Sequence, residues 1–257
     1  MNSSAALPCH ITGDRKELAL LLLHPLGARR DFWSEFVGAW TGPASCVAID
    51  LRNRTESTAG PAPVSVDEHV ADLEELRRQL GFQRVVPVGC AVSSMIAAAY
   101  AAKYPAFTHA LVLANATMRS GPQARQMLIE RAEIVRRDGI AAILPRAVER
   151  AFLDLPRDAR YDRYYAAFAN QPAEDYAFAC AASALYDVEG KMRRIISPTF
   201  VVAGEHDVLL PPALSEQVAA TIPGAQFEIM PGAAHFVPYQ AADAFARRVA
   251  AFLATAS

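Results

Sequence analysis

The sequence predicts a parallel, doubly wound α/β sheet that carries a helical insertion, and three observations support that class. Short β-branched or leucine-rich runs alternate with helix-length amphipathic segments over the first half of the chain. That alternation stops over residues 118–195, where the pattern is helical only, and resumes after them. A β-branched run ending at Gly89 passes into an alanine-rich segment at helical spacing with no room for a loop, so strand, sharp turn and helix follow in immediate succession.

Size and charge fit this class. With 257 residues and 53% hydrophobic content, the chain is long enough to bury the core of one α/β unit with an insertion, divided as core over 1–117, helical cap over 118–195 and core again over 196–257. Lys plus Arg number 25 against 27 for Asp plus Glu, which gives no reason to expect nucleic acid or a membrane as partner and leaves a small molecule. The four cysteines, Cys9, Cys46, Cys90 and Cys180, lie far apart and form no Cys-x-x-Cys pair, so neither a zinc site nor a disulfide framework is expected. Reduced thiols, no apolar leader after Met1 and no membrane-length run give the expectation of a cytoplasmic protein. A homodimer is compatible with this reading.

Taken in order, residues 7–12 alternate weakly, and 18–23 form a continuous apolar run suited to a buried central strand. Residues 45–49 read as the next strand, delivering a polar loop from Asp50 onward. Over 66–80, Val70, Leu73, Leu76 and Leu80 share one helical face, opposite most of the acidic residues. The helix after Gly89 stops at Tyr104-Pro105, and 109–115 is another strand. Helices are expected over 123–137, 140–152, 161–170 and 173–187, strands over 198–204 and 226–230, and a closing helix over 236–254.

The turn after Gly89 is where chemistry is expected. A nucleophile elbow reads Gly-x-Ser-x-Gly, because a side chain lifted onto a strained strand-to-helix turn needs small neighbours two residues away on either side. Gly89 and Ser93 supply those neighbours, and the apex is Ala91. Cys90 lies on the opposite face of the strand, and Ser93 and Ser94 fall in the first helical turn, where small residues serve packing and capping, so none replaces the missing group. Alanine has no special tolerance for a positive-φ turn, so Ala91 reads as a deleted hydroxyl, an inactivating substitution of the kind that traps an unreacted substrate.

Other strand ends supply partners for such an apex. The run over 18–23 leaves through His24-Pro25-Leu26-Gly27, which aims the Leu26 amide where the Val92 amide also points, a pair suited to an oxyanion. Gly204-Glu205-His206-Asp207 and Pro231-Gly232-Ala233-Ala234-His235 follow two later strands. Parallel strands present their carboxyl ends on one side, so Asp207 and His235 reach the side of the elbow, with Asp207 orienting His235 as general base.

With these motifs the chain resembles the α/β-hydrolase fold family over nearly its full length. Residues 88–97 resemble the family's elbow, 50–57 its Asp-Leu-Arg-Gly-His-Gly-x-Ser loop, and 204–212 with 231–236 its acid and histidine loops. Within the family it is similar to the 3-oxoadipate enol-lactonase branch, in the cap segment over 172–182 and the acid loop over 203–207. The resemblance implies a mostly parallel sheet with helices on both faces and a helical cap. It also implies a cofactor-free ester or lactone hydrolase with Ala91, Asp207 and His235 at the triad positions. Departures fall on Ala91, on Ser93, on Asn53, Arg54 and Thr55 where the family has Gly-His-Gly, and on Ala151 where the branch commonly has tryptophan.

Because lactones of that branch are acids, Arg29, Arg30 and Arg150 are candidates to hold a substrate carboxylate, and Tyr176 in the cap segment to line the same pocket. Arg52, Arg54, Arg119, Arg125, Arg131 and Arg146 are further basic groups near the strand ends and cap, mostly expected on solvated faces. Two other readings keep the fold. Either the His235–Asp207 dyad acts alone on water or an acidic C–H, as in a lyase, decarboxylase or oxygenase, or the pocket binds a ligand without catalysis. No metal-ligand spacing, no carboxylate at the apex for dehalogenation and no Gly-x-Gly-x-x-Gly after the first long strand are present.

Overall fold

In the computed structural model, which describes residues 7–52, 63–153 and 155–256, the apolar runs of the chain meet in one seven-stranded sheet. Its strands are β1 (Cys9–Thr12), β2 (Leu18–Leu23), β3 (Ser45–Ile49), β4 (Arg84–Cys90), β5 (Leu111–Ala114), β6 (Thr199–Gly204) and β7 (Gln226–Met230). Their spatial order is β1-β3-β2-β4-β5-β6-β7, with β1 antiparallel to β3 and every other pairing parallel. β2, β4 and β5 are buried along almost their whole length, which is why they read as unbroken apolar runs.

The helices are α1 (Ser34–Ala39), α2 (Val66–Leu80), α3 (Val92–Lys103), α4 (Pro122–Asp138), α5 (Arg146–Ala151), α6 (Ala159–Ala169), α7 (Ala173–Ser183), α8 (Glu189–Met192), α9 (Pro212–Thr221), α10 (Val237–Gln240) and α11 (Ala242–Thr255). α2 begins with a reciprocal capping box, in which the Ser65 hydroxyl accepts from the Glu68 amide and the Glu68 carboxylate accepts from the Ser65 amide. α3 is apolar nearly all round and is accordingly buried from Ser93 to Ala101. Strand alternation divides the core between the two faces of the sheet. Leu20, Leu22, Val86, Val88 and Val202 pack with Phe36, Phe245 and Val249 of α1 and α11, and Ala19, Leu21, Leu23, Val85 and Val201 pack with α2, α3 and Val218 of α9.

Helices α4 to α8 intervene between β5 and β6. The helix expected over 140–152 is broken into a 3-10 turn, Ile140–Ile143, and α5, because Pro145 interrupts the hydrogen-bond ladder between them. The closing helix expected over 236–254 is likewise divided at Ala241, where the backbone leaves the helical region at φ −130° and ψ 44°. α1 and α9 are helices that the residue pattern did not announce. α9 opens on the Pro211-Pro212 pair, which marks a loop until the second proline is seen at the first turn of a helix, where its missing N–H costs nothing. Among the described residues no helix is long and apolar enough to cross a membrane. Asn53, Arg54 and Thr55, with most of the loop that follows Asp50, lie outside the described residues.

Candidate active site

The apex is strained as an elbow requires. Ala91 has φ 52° and ψ −120°, a backbone state that an alanine side chain gains nothing from adopting, and β4 and α3 meet on either side of it. Gly89 is required by contact, since a Cβ there would stand 2.5 Å from the Ser93 carbonyl oxygen as the first helical turn folds back on the strand. The Ala91 amide donates to the Ala114 carbonyl at 2.9 Å, which fixes the apex beside the end of β5. Ser93 closes the turn from behind. Its hydroxyl accepts from the Cys90 amide at 2.9 Å and donates to the Leu23 carbonyl at 2.8 Å, tying β2 to the elbow. Cys90 is buried, and burial together with the nearby Asp207 charge pushes its thiol well above the ordinary range, so it stays protonated and unreactive.

Asp207 and His235 come together as the strand order requires. The His235 Nδ1 lies 3.0 Å from both Asp207 carboxylate oxygens, and the Asp207 side chain is shut off from solvent. One carboxylate oxygen accepts from the Leu209 and Leu210 amides at 2.9 Å, and the other from the Asn115 side-chain amide at 2.8 Å. With Nδ1 donating to the carboxylate, Nε2 is left as the base. Gly204 lets the two loops meet, because a Cβ there would collide with the Ala234 carbonyl.

Two residues that sequence reasoning did not single out hold this arrangement. Asn115 directly follows β5 at φ 49°, in the left-handed region that asparagine tolerates better than most residues. Its amide nitrogen donates to Asp207 and to the Ala234 carbonyl at 2.9 Å, and its oxygen accepts from the Val237 amide at 3.2 Å. Gln240 is the second. Its oxygen accepts from the Ala234 and Phe236 amides at 2.9 and 3.0 Å, and its nitrogen donates to the Ala151 carbonyl at 2.8 Å. The same Ala151 carbonyl accepts from the His235 amide at 3.3 Å, so α5 is tied directly to the histidine loop. A buried amide after a strand and another inside a short helix are the signals that could have marked both.

Burial alone would push the Asp207 carboxyl up. The His235 charge, the hydrogen bond to its ring, the Leu210 amide and the Asn115 amide outweigh burial and hold the carboxyl below its ordinary value. Its stabilising contribution is therefore complete above the unfolded value of about 3.9 and is lost as pH falls through the lower folded value. Asp207→Asn is expected to flatten the acid limb of the stability profile. Urea unfolding from neutral pH down to about pH 3 checks this, and an unchanged slope in the variant contradicts it.

Leu26 and Val92 border one cavity, of about 100 Å³, and among the described residues neither backbone amide has a protein acceptor. Val92 opens α3, so its N–H has no partner within the helix and sits at the positive end of the helix dipole. The loop carrying Leu26 is pinned by His24, whose Nδ1 donates to the Pro25 carbonyl at 3.0 Å and whose Nε2 accepts from the Leu51 amide at 3.1 Å. That pairing needs a neutral ring, and burial lowers the His24 pKa accordingly. Arg29 and Tyr176 also line this cavity, whereas Ala91 and His235 do not. Ala91 instead belongs to a buried apolar cluster with Phe152, Tyr164, Phe168, Tyr176 and Phe236.

Six of the nine arginine candidates have partners among the described residues. Arg29 and Arg30 both bind Asp50, Arg29 at 3.2 Å, and the Arg30 amide donates to the same carboxylate at 2.7 Å. Arg52 forms a two-point pair with Asp72, Arg119 pairs with Glu189 at 2.9 Å, Arg125 donates to the Ala184 carbonyl at 3.0 Å, and Arg131 donates to the Tyr176 hydroxyl at 3.3 Å. Arg150 lies on half-buried α5 and does not line the cavity beside Leu26 and Val92.

The model of the alpha/beta hydrolase fold family matches residues 19–242. A putative carbamate hydrolase RutD from Stutzerimonas stutzeri strain A1501 is 27% identical over 225 residues, covering 82% of both chains. The 3-oxoadipate enol-lactonase 2 of Acinetobacter baylyi is 25% identical over 201 residues, covering 76% of this chain and 73% of that one. The crystal structure of the enol-lactonase from Burkholderia xenovorans LB400 superposes with a TM-score of 0.87 at 25% identity, covering 96% of each chain. The chain belongs to the α/β-hydrolase fold family.

Proposed function

We propose that this chain is the scaffold of a cofactor-free hydrolase for small esters or lactones, with its nucleophile position vacated at Ala91. One observation carries the reading: an alanine held at φ 52° on an elbow, at the same sheet edge as a histidine braced by a buried carboxylate. A strained apex and a histidine with a carboxylate partner are the parts that a seryl hydroxyl would call on, which supports the reading. With serine at position 91, His235 would take the hydroxyl proton as oxygen attacks the acyl carbon, and Asp207 would stabilise the imidazolium. The Leu26 and Val92 amides would receive the developing oxyanion, and His235 would then protonate the leaving alcohol and deprotonate the water that frees the acyl group.

The cavity supports a small substrate. Its volume is about 100 Å³, below the roughly 300 Å³ at which pockets for drug-sized ligands begin. Among relatives, names divide between carbamate hydrolase and enol-lactonase, so the test compares bond classes. Ala91→Ser is expected to open γ-butyrolactones and cleave short acyl esters faster than it cleaves a small carbamate of matched size. A variant faster on the carbamate moves the assignment to that class, and a variant without turnover on any of the three overturns the reading.

A further inference from the structure

The cavity beneath Leu26 and Val92 has a far wall that the proposed chemistry leaves unused. His69 of α2 lines it, is only 5% exposed, and its Nδ1 is buried with no hydrogen-bond partner. Such an orphan is uncommon in a folded protein, and because the ring borders the cavity, a small turn of the imidazole would present it to a group bound there. The ring packs edge-on against Tyr186 with centroids 6.4 Å apart. The Tyr186 hydroxyl is already committed, donating to the Val64 carbonyl at 2.8 Å.

Charge on this wall is balanced. The described charged residues lining the cavity are Arg29 and Arg52 with Asp50 and Asp175. Arg29 is held by Asp50, and Arg52 is held by Asp72 just outside the lining. His69 adds no charge, because burial first and the nearby Arg52 second lower its pKa to about 4, leaving a neutral imidazole with one donor and one acceptor. A carboxylate entering here would lose its water shell without a free cation among the described residues to replace it, whereas a hydroxyl or carbonyl would lose little and gain the imidazole.

We propose that the cavity wall formed by His69 is a subsite for an uncharged hydrogen-bonding substituent of the substrate, and that it selects against a carboxylate at that position. The proposal rests on the ester or lactone reading and names the substrate class within it: a small neutral lactone or ester bearing a hydroxyl or carbonyl, with its reacting carbonyl at the Leu26 and Val92 amides. This differs from the acidic lactone expected from the enol-lactonase resemblance.

Three γ-butyrolactones that differ only at the ring carbon next to oxygen test it: one bears methyl, one hydroxymethyl and one carboxylate. Calorimetric titration of the chain as it stands, at neutral pH, is expected to give about tenfold tighter binding for hydroxymethyl than for either of the others. His69→Leu is expected to erase the preference over methyl while leaving methyl binding within about twofold, and His69→Gln, which keeps a donor and an acceptor, to retain part of it. Tightest binding by the carboxylate, or a hydroxymethyl preference untouched in His69→Leu, overturns the subsite alone. Should His69→Leu fail to fold, loss of the whole preference in His69→Gln does the same. Absence of binding by all three overturns the lactone reading and the subsite with it.

Discussion

Ala91→Ser is expected to raise hydrolysis of a short acyl ester by about 10³-fold or more, since removing a triad serine from a working hydrolase costs on the order of 10⁶ in turnover. The gain is set below the full cost because the site carries further changes. Ser93 replaces the glycine usual in the elbow, and its hydroxyl is bound to Cys90 and Leu23. The apex is also buried, at 5% exposure, within the same apolar cluster as Phe152, Tyr164, Phe168, Tyr176 and Phe236, so a substrate has to find its way through packed side chains. Adding His235→Ala to the serine variant should return the rate to that of the starting chain, because the hydroxyl then has no base. Spectrophotometric rates with 4-nitrophenyl acetate check both steps, and a serine variant no faster than the starting chain contradicts them.

The second large effect concerns stability. Asn115→Ala removes the side-chain donor to Asp207 and to the Ala234 carbonyl and strands the Val237 amide, all inside the core. It also asks alanine to hold φ 49°. Lost bonds to a charged group, orphaned backbone partners and the left-handed backbone together are expected to cost about 3–5 kcal/mol. Asn115→Gly should recover about 1 kcal/mol of that, the backbone share, and none of the hydrogen bonding. Urea unfolding separates the two, and an alanine variant within about 1 kcal/mol of the parent would mean that Asn115 does not hold the acid loop.

Much of this was readable before any coordinates, for a physical reason. The elbow, the acid loop and the histidine loop each sit where a strand stops, and strand ends are marked locally by glycine and by the end of an apolar run. Parallel order then puts Ala91, Asp207 and His235 on one sheet edge without further information. Ties made across the chain are a different matter. Asn115 reads as the last residue of a strand, and only the fold brings it to Asp207, 92 residues later. Gln240 looks like one more helical residue until Ala151 is seen beside it. Arg29 and Arg30 read as free cations because Asp50, which binds both, lies about twenty residues further along the chain, at the end of the next strand, β3. A helix break at Pro145 could be read from the proline itself, whereas the division at Ala241 has no marker in residue type.

Covalent titration addresses the main claim most directly. Treatment of the Ala91→Ser variant with diethyl 4-nitrophenyl phosphate should release one equivalent of nitrophenolate and leave one diethylphosphoryl group on residue 91, located by peptide mass analysis. The starting chain and the variant that also carries His235→Ala should remain unlabelled. Failure to label residue 91, or equal labelling with and without His235, would contradict an apex set between a carboxylate-braced imidazole and two waiting amides.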